Sequence, residues 1–194
     1  SFSLVGMLQD TVSRSVPITL GALAGILCER SGVINIAIEG MLLAGAFTGA
    51  VGASLTNLWF GTIIAMLTGI LLAWILAVFS IKYRVDQVIV GFAINFFALG
   101  ITSFLSFRVL VPNPDYNSLV PVKPISVPLL SKIPFIGQIL FAQTIFVYFS
   151  FAAVALLTWA MYRTRWGLRT RAAGEYPKAA GTLGVDVIKL RYRN

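Results

Sequence analysis

The chain has 194 residues, 58% hydrophobic and only 11% charged, with a mean hydropathy of +0.87. A soluble domain is nearer half apolar and about a quarter charged, so this chain could not cover a water-facing surface, a requirement that lipid removes. Its net charge of +8 sits between apolar runs, where membrane proteins carry topology signals, and so does not indicate nucleic-acid binding. There is no histidine and a single cysteine, Cys28, which excludes histidine-based metal or acid–base chemistry and an internal disulfide.

Five hydrophobic elements follow in order. No charge occurs between Gly40 and Ile81, Gln87 and Phe107, or Ile133 and Tyr162. A spanning helix needs about 20 mostly apolar residues, so the first run holds two spans and the others one each. All are too long for barrel strands, and the fold class is all-α, a polytopic transmembrane helical bundle. The first element covers Ser15 to Cys28, contains Pro17 and could start near Leu8.

The second element covers Val33 to Leu55, and within it Glu39 is the only ionisable residue. Asn35 lies four residues earlier, which on a helix puts both side chains on one face. Gly32 and Gly40 bracket the stretch, a pattern that suits a broken helix beside a solute pathway. The competing reading puts Glu39 near the interface, paired with Arg30, Arg14 or a helix N-terminus. Gly21 and Gly25, and Gly45 and Gly49, are each four apart, a spacing that lets helix backbones approach closely in lipid.

The third element covers Leu58 to Ile81 and the fourth Gln87 to Phe107. Asp86 precedes the fourth and suits an N-cap. Asn95 lies two turns deeper than Gln87 on nearly the same face. A buried amide must find partners, either a neighbouring helix or a solute. Phe92, Phe96 and Phe97 surround it, and Phe92 and Phe96 could stack on a flat ring or act as plain packing. The loop from Arg108 to Gly137 holds six of the eight prolines and is expected to be extended and irregular. The fifth element covers Gln138 to Tyr162; it places Tyr148 and Phe149 too deep for interface anchors, a role better suited to Trp59, Tyr83, Tyr162 and Trp166.

Basic clusters set the orientation. Lys82 and Arg84 follow the third span, and Arg163, Arg165, Arg169, Arg171 and Lys178 follow the fifth. Two spans separate them, so both face the cytoplasm and residues 108–137 are external. In the cytoplasmic segment 163–186, Pro177 suits the first turn of a short helix with Glu175 near its positive end. Ala179, Ala180 and Leu183 continue it on an apolar side, and Gly184 suits a left-handed cap. An apolar knob outside the bilayer suggests docking, or a loop helix resting on the membrane.

Three stretches carry a resemblance: ERSGVINIAIEGM (29–41), RVDQVIVGFAINFFALGITSFL (84–105) and GEYPKAAGTLGVD (174–186). In this order they resemble ABC importer permeases of the branched-chain amino acid, ribose and nucleoside type, the second being most similar to the nucleoside and simple-sugar branch. The third resembles the coupling helix that docks on the ATPase. The resemblance implies one permease domain over 1–194, expected to continue past the RYRN end with further spans. It implies uptake of a small polar solute, foremost a nucleoside, by alternating access across a bacterial inner membrane. Implied partners are cytoplasmic ATPase subunits, a second permease chain, identical or paralogous, and an extracellular substrate-binding lipoprotein, all in membrane lipid.

The coupling residues are then Glu175, Pro177, Ala179, Ala180, Leu183 and Gly184. Pathway residues are Asn35, Glu39, Phe92, Asn95 and Phe96. No cofactor is expected on this chain. It has no Gly-rich phosphate loop ending in Lys-Ser or Lys-Thr, so ATP belongs to the partner. Simple sugars come second as solutes and branched-chain amino acids third. An ATP-independent channel or secondary transporter is the rival class. An intramembrane enzyme lacks a convergent nucleophile, base or metal set.

Overall fold

Backbone amides in lipid must be satisfied within the segment, and uncharged runs of this length therefore fold as helices. The structure, a computed structural model, describes residues 4–113, 116, 122, 124–126 and 136–194. Five of its helices are long and apolar enough to cross a membrane. With the family findings given below, this makes the chain a multi-pass membrane protein.

Helix α1 runs from Leu4 to Arg30, well beyond the apolar stretch that predicted it. Hydropathy marks the part of a helix at membrane depth, not its ends. Pro17 lies inside the helix, and the Ser15 and Thr19 hydroxyls donate to the Val12 and Ser15 carbonyls around it. Helix α2 covers Ile38–Leu55, at 18 residues about 27 Å long at 1.5 Å per residue. The expectation of helix from Val33 is corrected: residues 33–36 are non-helical, for reasons that belong to the site below.

Helix α3 covers Leu58–Ala77 and continues through a wide π turn, Val78–Lys82. Asn57 caps it by accepting the Phe60 N–H at 2.9 Å. Arg84, in the turn that follows, takes a left-handed backbone at φ 55°. Helix α4 covers Gln87–Leu105 and ends in a second π turn, Ser106–Leu110. Asp86 caps it as expected, accepting the Val88 N–H at 2.8 Å. The expected external loop, Arg108 to Gly137, falls largely outside the described residues.

The fifth span is shorter than predicted. A short helix α5, Ile136–Phe141, precedes a break, and helix α6 runs from Ile145 to Arg163. At the break, strand β2 (Ala142–Gln143) pairs antiparallel with strand β1 (Ile125–Ser126). Buried Gln143 causes the interruption. Its Nε2 donates to the Gln9 and Ile139 carbonyls, at 3.0 and 2.7 Å, while Gln9 Nε2 donates to the Ala142 carbonyl at 2.7 Å. Tyr148 is therefore in the first turn of α6, not deep in a span, and its hydroxyl donates to the Ile125 carbonyl. Three helices follow: α7 (Arg165–Glu175), α8 (Pro177–Thr182) and α9 (Val187–Arg193).

The chain divides into two compact units. The first comprises Ser1–Ala24 and Pro121–Gly167, knit by the Gln9–Gln143 pair. The second comprises Gly25–Val120 and Leu168–Asn194. Its core is Ala37, Ala44, Leu72, Leu76, Val90, Ile94 and Ala98, drawn from α2, α3, α4 and the residue that precedes α2. Between α2 and α3 the backbones nearly touch. Gly49 and Gly52 face Gly61 and Ala65, and the Thr48 and Thr68 hydroxyls bond at 2.9 Å. Packing is thus the role of Gly45 and Gly49. On α3, Ile63, Met66, Leu67, Ile70 and Trp74 all point outward. In lipid such exposure carries no hydrophobic penalty.

Candidate pathway and coupling sites

The break between α1 and α2 is built from local chemistry. Helix α1 ends at a left-handed glycine, Gly32, φ 84°. The Gly32 N–H donates to the Glu29 carbonyl at 2.9 Å and the Val33 N–H to Cys28 at 3.0 Å, the paired closure of a Schellman cap. The Ser31 hydroxyl adds a bond to the Cys28 carbonyl at 2.8 Å. Asn35 Oδ1 then accepts the Ala37 N–H at 3.0 Å, a local turn that competes with helix.

Helix α4 holds the extended stretch that results. Gln87 Oε1 accepts the Ile34 N–H. Asn95 Nδ2 donates to the Ile36 carbonyl at 3.0 Å, and its Oδ1 accepts the Gly40 N–H at 2.7 Å. Residue 37, at the N-cap of α2, offers no side-chain cap, so an amide from a neighbouring helix satisfies an N-terminal N–H instead. Gln87, Gly91 and Asn95 recur every four residues and share one face. A Cβ on Gly91 would lie 3.0 Å from Ile36 Cβ, and one on Gly40 2.9 Å from Asn95 Cα. The two glycines let the chain lie flat on α4.

These positions rearrange the predicted pathway set. Asn35 is outside the helix, so it shares no helical face with Glu39, contrary to expectation. Among the described residues, its Nδ2 reaches sulfur, Cys28 Sγ at 4.0 Å and Met41 Sδ at 3.9 Å. Glu39 is exposed in the first turn of α2, at the positive end of its dipole. Both ends of the Asn95 amide are engaged by backbone. Phe92 and Phe96 are exposed, the latter 69%, with ring centroids 6.4 Å apart and planes 25° apart. Glu39 and the phenylalanine pair are the members of the set that present free surface.

At the other predicted site, Pro177 is the first residue of α8, as expected, and Tyr176 its N-cap. Glu175 is the last residue of α7, just ahead of that N-terminus. Gly184 takes φ 80°. Its N–H donates to the Gly181 carbonyl at 3.0 Å and the Val185 N–H to Ala180 at 3.1 Å, a second Schellman cap. Leu183 is 84% exposed, the most exposed large apolar side chain described. Ala179 is half-buried, and Ala180, 3% exposed, faces inward rather than outward. The outer surface of α8 is therefore Lys178, Gly181 and Thr182, with Leu183 at its C-cap.

Sequence reasoning missed α7 and α9. Thr170 and Ala173 of α7 are buried three residues apart, on one face of the helix. Asp186, whose Oδ1 accepts the Lys189 N–H at 2.9 Å, was a readable N-cap for α9. The contact of Arg191 with the backbone at Ser31 had no signal, being 160 residues apart in sequence.

A family described as branched-chain amino acid transport system / permease component matches residues 7–193. The guanosine ABC transporter permease protein NupQ of Bacillus subtilis is 36% identical, over 94% of this chain and 60% of its own length. The nucleoside ABC transporter permease protein NupC of Lactococcus lactis is 34% identical, over 98% of this chain and 63% of its own. A putative glucose ABC transporter permease protein, TsgC13 of Haloferax volcanii, is 31% identical, over 96% and 57%. The chain thus spans about three fifths of the length of these relatives. No solved structure matches it.

Proposed function

The chain belongs to the family of branched-chain amino acid transport system permease components, and on that premise we propose that it is part of the non-catalytic membrane subunit of an ATP-driven importer for nucleosides. The observation that carries the reading is the short, proline-led helix α8, with Leu183 exposed beside it. Leu183, 84% exposed outside the spans, is the apolar group that this reading seats on the ATPase. ATP binds and is hydrolysed on a cytoplasmic partner, whose closure pushes on α8. A second permease chain completes the pathway, and an extracellular binding protein loads it from outside the inner membrane.

The solute class rests on the names of the Bacillus and Lactococcus relatives. The stacked Phe92 and Phe96 rings suit a flat heterocycle, and exposed Glu39 suits hydroxyl or ring N–H donors. Asn95 and Asn35 act by holding the break in place. A sugar is the second reading, supported by the Haloferax relative.

Leu183→Arg tests the docking assignment. The substitution leaves the spans untouched and puts a charge on the knob. Recovery of the ATPase with the purified permease should fall at least tenfold while membrane insertion is kept. Undiminished co-purification and uptake would show that α8 is not the docking helix.

A further inference from the structure

Beneath the break between α1 and α2 lies a contact that docking of α8 alone does not need. Arg191, on α9, donates from Nε to the Ser31 carbonyl at 3.0 Å. Ser31 is buried, and its carbonyl stands at the end of α1, where the helix leaves carbonyls without helical partners. The Arg191 Nη2 lies 2.8 Å from the point where a Gly32 Cβ would sit, and the left-handed backbone at Gly32, φ 84°, is what favours glycine there. On the same spot the α7 backbone closes in. A Cβ on Gly174 would fall onto the Arg30 carbonyl oxygen and 3.2 Å from the Gly32 nitrogen. The two glycines therefore face each other across the join.

Helix α9 has no fully buried side chain, but it is joined to its neighbours at both ends. It packs on α8 and on the end of α3 with its π turn. The Val185 N–H bond to Ala180 and the Asp186 cap fix the turn between α8 and α9. Asn194 Nδ2 donates to the buried Thr170 hydroxyl at 3.2 Å and closes the end of α9 onto α7. These bonds give a push on α8 a route through α9. It arrives at Ser31–Gly32, from which the extended stretch runs to Gln87 and Asn95 on α4 and into α2.

We infer that α9 is the strut that carries movement of the docked helix to the break between α1 and α2, with Arg191 as its positioning residue at the Ser31 carbonyl. The inference rests on the importer reading above. It adds that coupling enters the spans at this break, through one hydrogen bond and a glycine-to-glycine contact. The bond needs a donor at the end of a long stem. It does not need the full guanidinium.

The test compares Arg191→Met with Arg191→Gln in the full permease, purified with its ATPase and reconstituted in vesicles. Methionine keeps a long apolar stem without a donor, whereas glutamine retains an N–H. ATP hydrolysis and guanosine uptake are measured on the same vesicles. The expected result is that Arg191→Met hydrolyses ATP within twofold of the parent while uptake per ATP falls at least tenfold. Arg191→Gln should recover uptake per ATP to within about threefold. Hydrolysis and uptake falling together, equal behaviour of the two variants, or unchanged coupling in Arg191→Met would overturn the strut. So would loss of the assembled complex in Arg191→Met alone, because it would make Arg191 a folding determinant. Failure of the importer reading has a different signature: the parent permease would itself show no ATP-dependent uptake.

Discussion

Gly61→Ala is expected to lower the melting temperature of the full permease by several degrees and to loosen α2 from α3. The added Cβ would land on the Gly49 carbonyl oxygen and 2.7 Å from both the nitrogen and the Cβ of Ala53. Those atoms are largely backbone, so no side chain can swing away, and the helices must separate. Separation stretches the 2.9 Å Thr48–Thr68 bond and opens the seam lined by Gly49 and Gly52. Overpacking of this kind costs about 1–3 kcal/mol. Gly69→Ala on the same helix is the control, since nothing lies within 4 Å of its Cβ position. Helix propensity favours alanine equally at both sites, by about 1 kcal/mol. Thermal unfolding in detergent should therefore separate the two variants clearly. Equal melting would mean that α2 and α3 do not approach as described.

The second large effect belongs to Asn95→Leu. Leucine removes an acceptor from the Gly40 N–H and a donor from the Ile36 carbonyl. A fully buried group left without its partner costs about 1–3 kcal/mol, and these two contacts are partly buried. Hydrogen bonds between membrane helices often contribute less, because unfolded helices in lipid also find partners. Here the partners are backbone groups at a helix break, held at 2.7 and 3.0 Å, and a loss of about 2 kcal/mol or more is expected. Asn95→Asp should fall between, since a carboxylate accepts from Gly40 but gives nothing to Ile36. Hydrogen exchange at the Gly40 amide reports the contact directly and should accelerate at least tenfold in Asn95→Leu. Normal protection together with lost uptake would assign Asn95 to the solute and not to the break.

The parts of the fold legible in the sequence were those that depend on local chemistry. The uncharged runs located the third and fourth spans nearly to their ends, since α3 starts at Leu58 and α4 at Gln87. Asp86, Pro177 and Gly184 were readable because capping and left-handed turns depend on a few adjacent residues. The break at residues 33–36 was only half legible. Gly32 and Gly40 marked it, but Asn35 could equally have sat on a helix. What decided the matter were Gln87 and Asn95, more than fifty residues away. The interruption before α6 was hidden in the same way, because Gln143 finds its partner in Gln9.

The candidate site shows the same division. Asn95 is half-buried and both ends of its amide find backbone partners, whereas the sequence alone left solute and neighbouring helix as alternatives. Ala180 was placed with Leu183 on an outward side, although one packs inward and the other stands free. In a helix of six residues, one turn separates inside from outside.

Uptake by the full permease, co-purified with its ATPase and reconstituted in vesicles, tests the central claim most directly. Labelled guanosine and glucose would be offered in parallel, with and without ATP. ATP-dependent guanosine entry that exceeds glucose entry at least tenfold is the predicted result. Entry of either solute at full rate without ATP or the ATPase would contradict it and make the chain part of a channel or secondary transporter.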